Sequence, residues 1–126
     1  MSAPRLMIVD DSVLMRQAIE TILNSEYEVV ASVADGEMAV TTAAGLAPEL
    51  VLLDISMPGL NGFEAARQIK RASPVTLVIF VSEHGEKSYI DAGFSVGASG
   101  YVVKSKMMSE LLPAIQNVLG GKEYGR

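Results

Sequence analysis

The chain has 126 residues, the size of one domain, and 49% of them are apolar, enough to build a packed core. Fifteen acidic residues against ten basic ones leave a formal charge of −5, which argues against direct nucleic-acid binding, since that needs a basic face. Without cysteine there is no disulfide, thiol nucleophile or thiolate metal site.

Short apolar runs alternate with segments of helical period. Leu6-Met7-Ile8-Val9 reads as a strand buried on both faces, and Tyr27 to Val33, interrupted by Glu28 and Ser32, as an edge strand. Leu50 to Leu53, Thr76 to Val81 and Tyr101 to Val103 complete five strands. In the first intervening helix Met15, Ala18, Ile19, Ile22 and Leu23 form one stripe, and in the last Leu111, Ile115, Val118 and Leu119 do so. Asp35-Gly36 reads as a turn, Pro48 as the end of the second helix, Asn61 as a cap for the third, and Pro74 as its stop. Pro113 would cost about 3 kcal/mol inside a helix but little in its first turn, which predicts that the last helix starts near Ser109. The fourth helix, Glu86 to Val96, contains Ser88, Asp91, Gly93 and Ser95 and is expected to be weakly held. Gly120-Gly121 closes the last helix, and 122–126 reads as a polar tail or the start of a linker beyond a core of 5–121.

No targeting pattern opens the chain: Leu6 to Val9 runs straight into Asp10. The longest apolar run, near Val75 to Val81, is too short to span a bilayer. A cytoplasmic protein with no membrane association is the expectation.

Strict β-α alternation implies a doubly wound parallel sheet with helices on both faces, whose ligands sit at the carboxyl ends of the strands. The polar residues fall at that edge. Asp10 and Asp11 follow the first strand, Asp54 the third, Ser82 the fourth and Lys104 the fifth. Two unit charges about 4 Å apart interact by roughly 4 kcal/mol at an effective dielectric near 20, so three clustered carboxylates demand cations. Lys104 offsets part of that charge. A small hard divalent ion, Mg²⁺ for preference, would offset the rest and keep waters that a phosphate can replace. A carboxylate beside such an ion and an ammonium is set up to take a phosphoryl group.

These stretches resemble the CheY-like response-regulator receiver family over Arg5 to Gly121: Ile8-Val9-Asp10-Asp11-Ser12, Asp35-Gly36, Leu53-Asp54-Ile55-Ser56-Met57-Pro58-Gly59, Asn61-Gly62, Val81-Ser82 and Gly97 to Lys104. The resemblance implies a flavodoxin-like sheet of order 2-1-3-4-5 with five helices. It also implies a switch that is phosphorylated on Asp54 by a sensor histidine kinase and catalyses no reaction but its own phosphorylation and dephosphorylation. Asp11 matches the direct Mg²⁺ ligand, Asp10 the acid reaching the ion through water, and the Ser56 carbonyl the remaining protein ligand. Ser82 and Lys104 match the groups that hold the phosphoryl oxygens. Tyr101 matches an aromatic that changes rotamer on activation, moving a face made by the fourth helix, fifth strand and fifth helix. A second copy of the domain is a candidate partner on that face.

Two positions depart from or stand outside the pattern. Glu83, after the hydroxyl residue, is usually small in this family, and its charge is expected to hinder incoming donors. His84 reads as a loop residue with no role. The segments Ser82-Glu83-His84, Gly100 to Lys104, Glu110 to Ile115 and Gly120-Gly121 are similar to receivers joined to LuxR-type DNA-binding domains. Transcriptional control through such a domain is the leading output. A stand-alone regulator, a pseudo-receiver binding module and a metal-dependent phosphohydrolase are the alternatives.

Overall fold

The computed structural model describes residues 3–24 and 26–126, so the expected span of 1–126 includes positions outside the described residues. Five parallel strands, β1 (Arg5–Val9), β2 (Glu28–Val33), β3 (Leu50–Leu53), β4 (Leu77–Ser82) and β5 (Gly100–Val103), lie in the order β2-β1-β3-β4-β5. The helices between them are α1 (Val13–Leu23), α2 (Gly36–Leu46), α3 (Gly62–Ala72) and α4 (Lys87–Ser95). A 3₁₀ turn, Lys104–Lys106, leads into α5 (Met107–Leu119).

The period-two rule of strands divides the core into two layers. Met7, Val9, Val51, Leu53, Val78, Phe80 and Tyr101 face one layer, which Ala39 and Ala43 of α2 and Ala65, Ala66 and Ile69 of α3 complete. Leu6, Ile8, Leu50, Leu52, Ile79, Val81 and Val102 face the other, against Ile19 and Leu23 of α1 and Leu111, Ala114, Ile115 and Val118 of α5. Both faces of the central strands are therefore buried, and these segments read as unbroken apolar runs for that reason. β2 is an edge strand, as its polar interruptions imply.

Caps set the helix starts next to the site. The Ser12 hydroxyl accepts from the Met15 amide, the Asp35 carboxylate from Met38, and the Asn61 side chain from Glu64. Asp35-Gly36 is thus the beginning of α2 rather than a free turn.

Two expectations are corrected. The last helix begins at Met107, not Ser109, and Pro113 lies in its interior. Pro113 is exposed, so the carbonyl it leaves unbonded, that of Ser109, can be met by water. Burial of Met107, Leu111, Ala114, Ile115 and Val118 on the opposite face offsets the roughly 3 kcal/mol cost, at about 1.5–3 kcal/mol per large aliphatic side chain. The second correction concerns 122–126. Tyr124 bridges to Gly100 in the parallel sense, so this segment lies along the outer edge of β5 instead of trailing away.

Candidate functional site

The loops after β1, β3 and β4 and the 3₁₀ turn after β5 meet at the carboxyl edge of the sheet. They enclose a cleft of about 170 Å³ lined by Asp10, Asp11, Asp54, Ser56, Glu83 and Lys104 among others. That is room for a phosphoryl group and several waters.

Asp10 and Asp54 are 1% and 5% exposed, and Ser82 is fully buried. Asp10 is held by its neighbours: one carboxylate oxygen accepts from the Ser12 amide, and its backbone carbonyl accepts from Arg16 at 2.8 Å. The Lys104 ammonium sits 2.8 Å from Asp10 and 3.4 Å from Asp54, bridging the two buried acids. One Asp54 oxygen accepts from the Ile55 amide at 2.9 Å, whereas the other faces Lys104. Asp11 is exposed at the mouth of the cleft.

Burial pushes the Asp54 carboxyl above the usual carboxylate range; the Asp10 charge adds to this, and Lys104 and the Ile55 amide oppose it. For Lys104, burial acts to lower the ammonium, but the bond to Asp10 and the charges of Asp54 and Asp10 outweigh it and leave the group raised.

Carboxylate oxygens of Asp10, Asp11 and Asp54 lie within 4.8 Å of one another. This donor set fits a small divalent cation, which takes oxygen ligands at about 2.1 Å in an octahedron and accepts few carboxylates. Lys104 alone balances one of the three charges.

The structure gathers Asp10, Asp11, Asp54, Ser56 and Lys104 around the cleft, whereas Ser82 and Tyr101 are buried beside it and are not among its lining residues. Ser82 accepts from the His84 amide at 3.1 Å, and Ser56 lies at the rim. Tyr101 is buried, and its hydroxyl donates to the His84 carbonyl at 2.6 Å. Burial pushes that hydroxyl above the ordinary tyrosine range, partly opposed by Ser82.

His84 lies in the loop after β4, where its side chain makes two contacts. Its Nε2 is 3.2 Å from the Ser56 hydroxyl, and its ring stacks on Tyr89 of α4 with centroids 4.0 Å apart.

Comparison with known proteins agrees with this geometry. The family model of the response regulator receiver domain matches residues 6–116. The transcriptional regulatory protein DegU of Brevibacillus brevis is 37% identical over 122 residues, covering 95% of this chain and 52% of DegU. The chain thus spans about half the length of that relative. The chemotaxis protein CheY of Bacillus subtilis is 35% identical over 118 residues, covering 93% of this chain and 98% of CheY. A crystal structure of a LuxR-family two-component response regulator from Aurantimonas sp. SI85-9A1 superposes with a TM-score of 0.93 at 32% identity, covering 98% of this chain and 89% of that one. An acid cluster bridged by a lysine at the carboxyl edge of a 2-1-3-4-5 sheet, together with these likenesses, makes the chain a member of the response-regulator receiver family, the phosphoacceptor signalling domains of two-component systems.

Proposed function

We propose that Asp54 accepts the phosphoryl group, from a phosphohistidine on a sensor kinase. The observation that carries this is the orientation of its carboxylate: one oxygen is tied to the Ile55 amide while the other faces Lys104 and the cleft. That second oxygen attacks phosphorus. An O–P bond forms, the N–P bond of the donor breaks, and the electron pair returns to the imidazole nitrogen, which takes up a proton. Lys104 and the Ser82 hydroxyl hold the equatorial oxygens as charge moves onto them. Asp11 and Asp54, the Ser56 carbonyl and, through water, Asp10 would hold Mg²⁺, which when bound neutralises charge on the phosphoryl oxygens. Glu83, exposed on the cleft lining, places a negative charge where an anionic donor must enter.

Incubation with acetyl phosphate and Mg²⁺ tests the assignment. One phosphoryl group per chain is expected in the parent and none in Asp54→Asn; undiminished labelling of that variant would falsify it. Labelling is expected to fail in EDTA, and Asp11→Ala to lose Mg²⁺ affinity and labelling together. A pseudo-receiver would show no labelling, and a phosphohydrolase would release phosphate over many turnovers.

The output leaves through α4, β5 and α5. A phosphoryl group draws the Ser82 hydroxyl, and the His84 carbonyl that holds Tyr101 lies two residues farther along. Likeness to DegU and to the LuxR-family structure supports control of transcription through a separate DNA-binding domain, in the cytoplasm. The near-complete match to CheY supports the second reading, a regulator that acts by protein–protein contact alone. A second copy of the domain is the proposed partner on the α4-β5-α5 face. A phosphoryl mimic is expected to change hydrogen exchange mainly between Ser82 and Ser109 and to raise the dimer fraction.

A further inference from the structure

The segment Lys122–Arg126 crosses the outer edge of β5 and touches both neighbouring helices. The Lys122 amide donates to the Asn117 carbonyl, which turns the chain back from the end of α5. The Tyr124 amide then donates to Ser99 at 3.0 Å, and the Tyr101 amide donates to Tyr124 at 2.9 Å. The Tyr124 ring packs on the layer that α5 covers, and its hydroxyl interacts with Glu110. On the other side, the Arg126 guanidinium lies over the ring of Phe94 in α4 at 5.2 Å. Phe94 itself packs on the cluster that contains Tyr101.

Gly125 is the point of closest approach. Its φ is +86°, and a Cβ there would collide with the carbonyl oxygen of Tyr101. No other residue type fits both conditions. The segment is therefore shaped to lie on the backbone of Tyr101 in particular. In this docked arrangement the Tyr101 ring is 2% exposed.

We propose that Lys122–Arg126 is a latch on the switch: docked along β5 and stapled to Phe94, it holds Tyr101 in its buried position. This rests on the reading of Tyr101 as the residue that turns inward when Asp54 is phosphorylated. Latch docking and phosphorylation then favour the same state, so each must strengthen the other by the same factor.

The test uses the full chain and two variants. Tyr124→Pro removes the amide that bonds Ser99, and Gly125→Val prevents the close approach; Tyr124 is half-buried and Gly125 exposed, and neither lines the cleft. Without any phosphodonor, nitration of Tyr101 by tetranitromethane, located by peptide mass, should rise about tenfold in both variants. With Mg²⁺ and beryllofluoride, the parent's Tyr101 amide should exchange at least about fivefold more slowly, and both variants should bind beryllofluoride weaker by a similar factor. Unchanged nitration in both variants overturns the latch, as does equal beryllofluoride affinity or faster Tyr101 exchange with the mimic. Absence of acetyl phosphate labelling in the parent would instead overturn the phosphoacceptor reading, and the nitration arm would still decide the latch.

Discussion

α5 and α4 flank the same edge strand and are held in opposite ways. α5 buries Met107, Leu111, Ala114, Ile115 and Val118 against the sheet, and tolerates an interior proline on the strength of that burial. α4 buries only Gly93 fully, and its N-cap residue, Glu86, makes no side-chain capping bond. What contact α4 does make is aromatic and close to the site: Tyr89 stacks on His84, and Gly93 meets Phe80 and Tyr101. The proposed switch needs one fixed wall and one movable wall around Tyr101. Here the fixed wall is aliphatic and deep, and the movable one is shallow and wired to the loop that carries Ser82 and His84.

The widest separation should appear in stability. Leu111→Ala in α5 should cost about 3 kcal/mol by urea unfolding. Ile90→Ala, at a half-buried position of α4, should cost about 1 kcal/mol. Similar losses in the two would erase the distinction between the walls.

Gly93→Ala sharpens the account of α4. Alanine is the better helix former, yet its methyl would sit 3.0 Å from Phe80 Cδ2 and 3.3 Å from Tyr101 Cδ2. Because both rings lie in a packed core, the variant should lose about 1 kcal/mol rather than gain it. A stabilised variant would mean that α4 moves away freely, and that Gly93 is a propensity defect and nothing more.

The cleft where the two walls meet should behave as a site that trades stability for charge. Asp54 is raised by burial and by Asp10, so its ionisation opposes folding above its folded pKa and ceases to do so below the unfolded one. Asp54→Asn should therefore gain about 1 kcal/mol at pH 7 in EDTA, and the gain should vanish as the pH falls through the folded pKa into the ordinary carboxylate range. Urea titrations across that interval check the sign. A variant less stable at pH 7 would mean that Lys104 over-compensates the acids.

The smallest effect should be kinetic. Removing the exposed charge of Glu83 with Glu83→Ala should speed labelling by acetyl phosphate by about threefold at low salt, and less at high salt. No change in rate would show that Glu83 lies beside the path of entry, not on it.

Much of this molecule is legible in order along the chain. The central apolar runs could be read as strands because they are buried on both faces, β2 because its polar interruptions mark an edge, and the acids, hydroxyl and lysine could be read as one site because every strand of a parallel sheet ends at the same edge. The packing of His84, Gly93 and the 122–126 segment could not be read from the sequence, for a common reason. Each depends on a contact between distant positions: His84 on Ser56, Gly93 on Phe80, Gly125 on Tyr101. Local pattern carries no trace of such contacts, because a loop histidine, a helix glycine and a short polar tail look alike whatever they touch.

Pro113 marks the same boundary from the other side. Local propensity placed it in a first turn, whereas the depth of the apolar face beneath α5 decided that the helix continues past it. By itself, the sequence determined the alternation of elements and the chemistry gathered at their ends, since both follow from periodicity and chain direction. Only the tertiary structure decided which helix is firmly held, which way Tyr101 points, and that the segment after α5 lies on the backbone of Tyr101, since these depend on the packing of surfaces that meet only when the chain has folded.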